Sequence, residues 1–441
     1  MSNNTKPSGI EWAGNIPSDW EVKRLGFLFI FGKGLGITKE DLQDEGIPCV
    51  NYGEIHSKYG FEVDPEKNLL RCVDEKYLRI GQNSLLEYGD FVFADTSEDI
   101  EGSGNFTYLN SNEKTFAGYH TIILRAIKEL NYRYIAYLFD SILFRTQIRN
   151  KVWGIKVYSI TKQILKNTKM ILPHPKEQKT IAAFLDAQCG KIDNIITDLE
   201  QQIEILKQYK TSLITETVTK GLNKDAPMKD SGIDWIGKIP AHWEVKKIKH
   251  LFTIVCGSTP ESDNPEYWDG EIPWITPADM PDFGIITKGE RSITKKGYNS
   301  CGTSILPKDS IVISTRAPIG KINITQAMLC TNQGCKSLVG LGAHTKYYYY
   351  LLNAVNEELI REGKGTTFIE LGTFELKNFY VLLPQLTEQK TIAAFLDGKC
   401  KEISSLIIEK QQSIDAMKAY KKSLIYEYVT GKKRVRATSS T

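Results

Sequence analysis

Cationic and amide side chains stand at the ends of short apolar runs in the second half of this 441-residue chain. Ser314-Thr315-Arg316-Ala317-Pro318-Ile319-Gly320-Lys321 follows a β-branched run and puts two cations on a Pro/Gly turn. Arg is the commonest bidentate partner of guanine, and Lys a point contact for phosphate. Thr331-Asn332-Gln333-Gly334-Cys335-Lys336 sets two amides, which suit adenine, beside another lysine. Ser258, Thr259 and Thr276 add hydroxyls from Gly257-Ser258-Thr259-Pro260 and Trp274-Ile275-Thr276-Pro277-Ala278-Asp279. The first half offers a parallel set: Lys33 and Thr38 in a glycine-rich stretch, Tyr52, Thr96, Ser97, Tyr119 and His120, with Lys151, Trp153 and Lys156 placed to meet a nucleic-acid backbone. The chemistry these types support is DNA reading. For any one of them a turn with a surface charge is an equally good reading.

Catalytic signatures are weaker. Gly32-x-Gly34-x-Gly36 is not the GxGxxG fingerprint, and no acidic residue follows in the ribose position, so a dinucleotide or adenosylmethionine pocket is unsupported. Asn264-Pro265-Glu266-Tyr267 approximates the NPP-aromatic motif of amino-methyltransferases without its second proline. Glu375-Leu376-Lys377 has the ExK spacing of a metal-dependent nuclease, but no suitable partner Asp, and its repeat counterpart is Ile164-Leu165-Lys166. No P-loop, GxSxG or HExxH occurs. The expectation is a chain that catalyses nothing, with no catalytic residue, no metal ligand and no cofactor of its own.

Composition narrows the class. At 41% apolar and 25% charged residues the chain is globular, and its length suits more than one core. Its net charge of +3 is too small for a general polycation, so a nucleic-acid surface would be a local patch. Eight cysteines without a CxxC pair read as thiols in a reducing compartment. With no apolar leader and no run of 18 apolar residues, a soluble cytoplasmic protein is expected.

The elements that must position these residues are written twice. IEWAGNIPSDWEVKRLGFLF at 10–29 returns as IDWIGKIPAHWEVKKIKHLF at 233–252, and EQKTIAAFLD at 177–186 recurs unchanged at 388–397. The interval between the markers is about a dozen residues shorter in the second copy, so a fixed frame carries two different inserts. The inserts, 26–155 and 249–366, read as strand-rich α+β domains, with helical pattern in pieces such as 131–150 and 346–362.

After EQKTIAAFLD, a short helix through Gln178–Leu185 is expected to end where Asp186 or Asp397 caps a longer one. Apolar residues then recur in steps of four and three: Ile192, Ile196, Leu199, Ile203, Leu206 and Leu213, and in the second copy Ile403, Ile407, Ile414, Met417 and Leu424. This is a heptad seam, interrupted by Lys210, Lys410 and Lys421 and closed by Gly221 and Gly431. A helix of about 30 residues, roughly 45–50 Å, needs a partner for its seam. The other copy is the nearest one. Parallel and antiparallel pairing are both open sterically, the latter giving a pseudo-twofold, and each helix packing on its own insert is the alternative. Two readers and a helical strut suit a split, asymmetric site on duplex DNA, whose pitch is ~34 Å.

These pieces, with GSTPESDNPEYWDGEIPWITPADM, DSIVISTRAPIGK and TNQGCKSLVG, resemble the specificity subunit of type I restriction–modification systems over nearly the whole chain. The resemblance implies an α+β fold with two similar target-recognition domains, related by internal duplication and separated by two long antiparallel coiled-coil helices. Residues 1–155 would form the first recognition domain and 156–228 a central conserved helical region. Residues 229–367 would form the second domain and 368–441 the C-terminal helical region. The resemblance further implies double-stranded DNA as ligand, two modification subunits that bring adenosylmethionine and methylate adenine, and restriction subunits that use ATP and Mg. The modification subunits would dock on the frame around Glu177–Leu213 and Glu388–Leu424 with the IPxxW segments. A self-contained methyltransferase or nuclease fusion, and a coiled-coil scaffold that never touches DNA, are the alternatives.

Overall fold

The computed structural model describes residues 4–154, 156–364 and 370–435. The domain limits expected at 155 and 367 lie outside the described residues. The chain forms two compact units, Met1–Leu199 with Gln412–Thr441, and Glu200–Gln411.

In the first unit, five strands run in the order Phe29–Phe31, Thr121–Ala126, Phe91–Ala94, Phe106–Leu109, Glu62–Val63. All pairings are antiparallel except the last, between Phe106–Leu109 and Glu62–Val63. The central strand Phe91–Ala94 is buried on both faces, as its unbroken apolar run dictates. Four short strands form a second sheet, Cys72–Val73, Ile47–Val50, Thr115–Ala117, Leu85–Leu86. Helix Tyr132–Asp140 starts where the Asn131 side chain accepts from the Tyr134 N–H at 2.8 Å, and it lays Phe139 edge-on against Phe91 at 4.9 Å.

The second unit repeats this plan. Its five strands run Phe252–Cys256, Cys335–Gly340, Ile311–Ser314, Ile322–Thr325, Phe283–Ile286, again with only the last pairing parallel. Arg291–Ile293, Trp268–Ile275 and Cys330–Thr331 make the smaller sheet. In both units the segment after the buried tryptophan forms a two-stranded ribbon with the strand before a long helix: Glu21–Arg24 with Lys169–Leu172, and Glu244–Lys247 with Tyr380–Leu383.

Helix is more widespread than the periodicity suggests. Tyr52–Ser57, Tyr77–Ile80, Lys162–Asn167, Lys295–Ser300 and Thr373–Asn378 are one- or two-turn helices outside the pieces whose pattern reads as helical. Capping explains several of them: the Thr161 hydroxyl accepts from the Ile164 N–H at 3.2 Å and the Thr294 hydroxyl from the Gly297 N–H at 3.0 Å. Such elements are too short to show a period.

The long helices also differ from expectation. Pro175–Lys220 and Leu386–Val429 are continuous, with 46 and 44 residues and thus lengths of about 69 and 66 Å. Neither breaks at Asp186 or Asp397. Those carboxylates turn outward: Asp186 accepts from the Tyr137 hydroxyl at 2.7 Å and from Arg133 Nε at 2.6 Å, and Asp397 accepts from Tyr350 at 2.9 Å and Lys346 at 2.5 Å. A carboxylate satisfied by a neighbouring domain does not compete for backbone N–H groups of its own helix. Both helices stop at glycine, with positive φ at Gly221 and Gly431.

Within each unit the helices pair antiparallel. In the first, Phe184 meets Tyr428 at 4.5 Å between ring centroids and Asp193 meets Lys421 at 2.7 Å. In the second, Gln202 accepts from Lys410 at 2.6 Å and Lys210 donates to Ser404 Oγ at 3.1 Å. Ile192, Ile196, Ile203, Ile403, Ile414 and Leu424 are buried, and Leu199, Leu206, Leu213, Ile407 and Met417 half-buried. The lysines that interrupt the seam thus each find a polar partner on the opposite helix. The helix ends also join the domain cores: Ile214, Val218, Ile392 and Leu396 pack in one apolar cluster with Trp243, Tyr347 and the strand residues Ile311 and Leu338. Among the described residues no helix is long and apolar enough to cross a membrane.

Candidate nucleic-acid interface

The large sheet of each unit gathers its loops at one strand end. In the second unit the register Ser314↔Cys335 and Cys256↔Lys336 brings together the loops after Cys256, after Ser314 and before Cys335. Hydrogen bonds join them: the Ser258 N–H donates to Thr331 O at 2.9 Å, the Thr315 N–H to Gly334 O at 2.8 Å, and the Asn332 N–H to Ile275 O at 2.9 Å. The last of these draws in the Thr276 loop from the smaller sheet. Ser258, Thr259, Thr276, Thr315, Arg316, Asn332 and Gln333 therefore share one loop cluster.

Within it, the side chains take different parts. Gln333 is exposed and accepts from the Thr259 hydroxyl, so an amide NH2 stays free to donate. Arg316 is exposed, with its Nε 3.1 Å from Glu370. Thr276 is a structural cap, its N–H and hydroxyl both bonded to Asp279, at 2.8 and 2.6 Å. Burial pushes the Asp279 carboxyl up, but hydrogen bonds from Thr276 and from the Glu290 N–H outweigh it and hold the group below the usual carboxylate range.

Three residues expected at the DNA surface are occupied internally. Lys336 is buried and its ammonium donates to Leu371 O at 2.7 Å and Thr315 Oγ1 at 3.3 Å, with Glu370 at 3.6 Å. Thr315 is itself fully buried. Lys321 donates to Met280 O at 2.6 Å and is half-buried. A desolvated cation needs this full set of partners, so these side chains brace the cluster while Arg316 and Gln333 face outward from it.

The first unit builds the equivalent end from other residues. Ala94↔Thr121 is the matching register pair, and the Gly34 N–H donates to Thr121 O at 3.2 Å, which places the exposed Lys33 beside the loop Gly118–Thr121. A cavity of about 820 Å³ opens here, lined by Tyr52, His56, Thr96, Ser97 and His120 together with Glu98, Asp99, Glu101, Asn105 and Val157. The Tyr52 ring stands edge-on to Tyr119 and to His120, 5.5 Å from each. His120 has φ +54 and its Nδ1 lies 3.1 Å from Asp95. Four expected residues, Tyr52, Thr96, Ser97 and His120, thus line one opening, and a fifth, Tyr119, packs edge-on against Tyr52 and His120 beside it. Thr38 does not join them, since it caps the turn at Lys39–Asp41 through Asp41. Lys156 is exposed on the approach to the strand Tyr158–Ser159 that pairs with Thr96–Ser97.

Sequence reading missed His56 and Asn105. The Asn105 amide sits 2.8 Å from His56 Nδ1, and His56 Nε2 lies 2.8 Å from Thr96 O, so the imidazole is fixed by both nitrogens. The spacing of Tyr52 and His56, four apart on a short helix, was the available signal. All eight cysteines are free thiols, six of them buried.

Two segments, 17–206 and 240–415, match the family model described as type I restriction modification DNA specificity domain. The type I restriction enzyme MjaIX specificity subunit of Methanocaldococcus jannaschii is 42% identical over 36% of this chain and 38% of its own length. The putative MjaX specificity subunit of the same organism is 28% identical over 96% of both chains. Among solved structures, one described as the basis of complex assembly and conformational transition of the type I R-M system superposes with a TM-score of 0.73. It is 18% identical and covers 94% of this chain and 98% of that chain. The HsdS subunit from Thermoanaerobacter tengcongensis gives 0.54 at the same identity and coverage. At this identity the structures speak for the fold.

Proposed function

Since the chain belongs to the type I restriction–modification DNA specificity family, we propose that its two loop clusters each read one half of a split, asymmetric DNA site for a methylating and cleaving complex. The observation that carries this reading is the repeat itself. The same five-strand order presents its loops at the same strand end in both units. The side chains offered there differ: Tyr52, Thr96 and His120 in one unit, Arg316, Asn332 and Gln333 in the other. One scaffold with two reading surfaces fits a site of two unlike halves.

The seam between the long helices sets the number of unread base pairs. Their outer faces receive two modification subunits, and Ile205 and Tyr209, four residues apart and exposed at 63% and 54%, suit such docking. Methyl transfer to adenine, with adenosylmethionine, belongs to those subunits. Cleavage, with ATP and Mg, belongs to restriction subunits. This chain contributes recognition and geometry.

A salt series tests the reading. Affinity of the chain for duplex DNA should fall steeply as salt rises, through counterion release. A flat response would favour a scaffold without DNA contact. Adding modification subunits should then produce adenine methylation that the chain alone does not.

A further inference from the structure

Trp153 is 93% exposed, an indole left in water on the surface of the first unit. Water is an unfavourable place for so large an apolar side chain, and the chain is anchored on either side of it. On one side, Val152 is buried and its N–H donates to Ile148 O at 3.2 Å, at the end of helix Ile142–Arg149. On the other, Tyr158–Ser159 pairs with Thr96–Ser97, and the Ile160 N–H donates to Asp95 O at 2.8 Å. A Cβ on Gly154 would lie 1.9 Å from Val157 O, so these two residues approach closely. The exposed indole is therefore presented by an anchored loop and is not a loose end.

Position and charge say what it meets. Val157, beside Gly154, lines the same cavity as Tyr52, Thr96 and His120. Lys151 and Lys156, both exposed, flank the indole. Of the three carboxylates on the cavity rim, Glu101 is held by Arg149 at 2.9 Å, Asp99 accepts from the Gly102 N–H at 2.5 Å, and Glu98 is exposed to solvent. An aromatic face between two cations, next to a cluster of polar reading groups, matches the chemistry of a nucleic acid, with flat bases inside a row of phosphates.

We infer that Trp153 is a stacking wedge: its indole lies against the base stack of the half-site read by the first unit, while Lys151 and Lys156 hold the adjoining phosphates. The inference rests on the DNA-reading function proposed above. It extends that function from hydrogen-bond readout to readout of how easily a base step opens, which varies with sequence.

The test uses the full chain with its modification subunits, a labelled duplex carrying the methylated site, and the same duplex with the first half-site scrambled. Anisotropy reports binding. The emission lost in Trp153→Phe, by difference from wild type, reports the indole. Binding accompanied by quenching of that component on the intact duplex, and not on the scrambled one, is the expected result. Trp153→Ala should weaken binding about 5- to 100-fold at an unchanged salt slope, and Trp153→Phe should restore most of it. Since the indole is exposed, neither variant should move the melting temperature. Binding without quenching overturns the wedge and leaves the DNA-reading function standing. No salt-dependent binding overturns both. A change in Trp153 emission caused by the modification subunits without DNA overturns the wedge in favour of a protein contact.

Discussion

The indole N–H of Trp243 donates to the Glu388 carboxylate at 2.9 Å, tying the chain that enters the second recognition domain to the first turn of the second long helix. Trp20 and Glu177 repeat the bond at 3.0 Å in the first unit. The remaining partner differs: Glu388 also meets His242 Nε2 at 2.9 Å, whereas Glu177 meets Arg434 Nε at 3.3 Å. The frame is duplicated down to a hydrogen bond between residues far apart in sequence, while the nitrogen-bearing side chain that completes it has diverged.

Removing the acceptor should expose its weight. Both indoles are fully buried, so Glu388→Ala leaves a buried N–H without a partner. The expected loss is about 1–3 kcal/mol of stability, measured by denaturant unfolding. Glu388→Gln keeps an acceptor and should cost less. An Ala variant as stable as wild type would mean that the bond carries no structural load.

The seam lysines trade stability for register. Lys421 occupies a heptad position and reaches Asp193 at 2.7 Å. Lys421→Leu should raise stability by about 0.5–2 kcal/mol, because an apolar side chain fits the seam, and should loosen the choice of spacer. Thermal unfolding and the range of spacers bound check the two halves. A more stable helix pair with unaltered spacer preference would separate the lysine from register.

Acid should loosen the second loop cluster. The Asp279 carboxyl is held below the usual range in the folded chain, so its ionised form stabilises above the ordinary value near pH 4. That contribution is lost as pH falls through the lower, folded value. The stability gap between wild type and Asp279→Asn should therefore be full at pH 7 and shrink in strong acid. A gap independent of pH would remove the carboxylate from the effect.

Arg316 faces outward from the second cluster, with one edge on Glu370. Arg316→Ala should relax base preference in one half-site by about 1–3 kcal/mol and leave the other half unchanged, as read by competition binding. Equal weakening on every sequence would make it a phosphate contact.

What the sequence made legible follows from what repeats. EQKTIAAFLD and the seam residues carry the duplication and the two long helices on their face, because identity and a 3.5-residue period survive without coordinates. The period leaves the sense of the pairing open, and only the family resemblance implied antiparallel helices. Asp186 misled, since a capping type after a short apolar run resembles a helix start, and only the fold reveals Arg133 and Tyr137 waiting for it. Lys336 misled for the same reason: a cation on a turn reads as surface until Leu371 O and Thr315 are seen to enclose it. The contacts of His56 were not legible, because its partners, Thr96 and Asn105, lie about 40 to 50 positions along the chain, and only its spacing from Tyr52 hinted at a role.

Methylation mapped by single-molecule sequencing, in a host expressing this chain with its modification subunits, tests the central claim most directly. The same map should be made for a variant with four residues inserted at Gln202 and four at its partner Lys410, which adds about 6 Å to each helix. The account predicts adenine methylation at one sequence of two unlike halves, and the same halves with one or two more unread base pairs in the variant, at 3.4 Å per pair. Methylation at an unsplit site, or a spacer that ignores the longer helices, would contradict it.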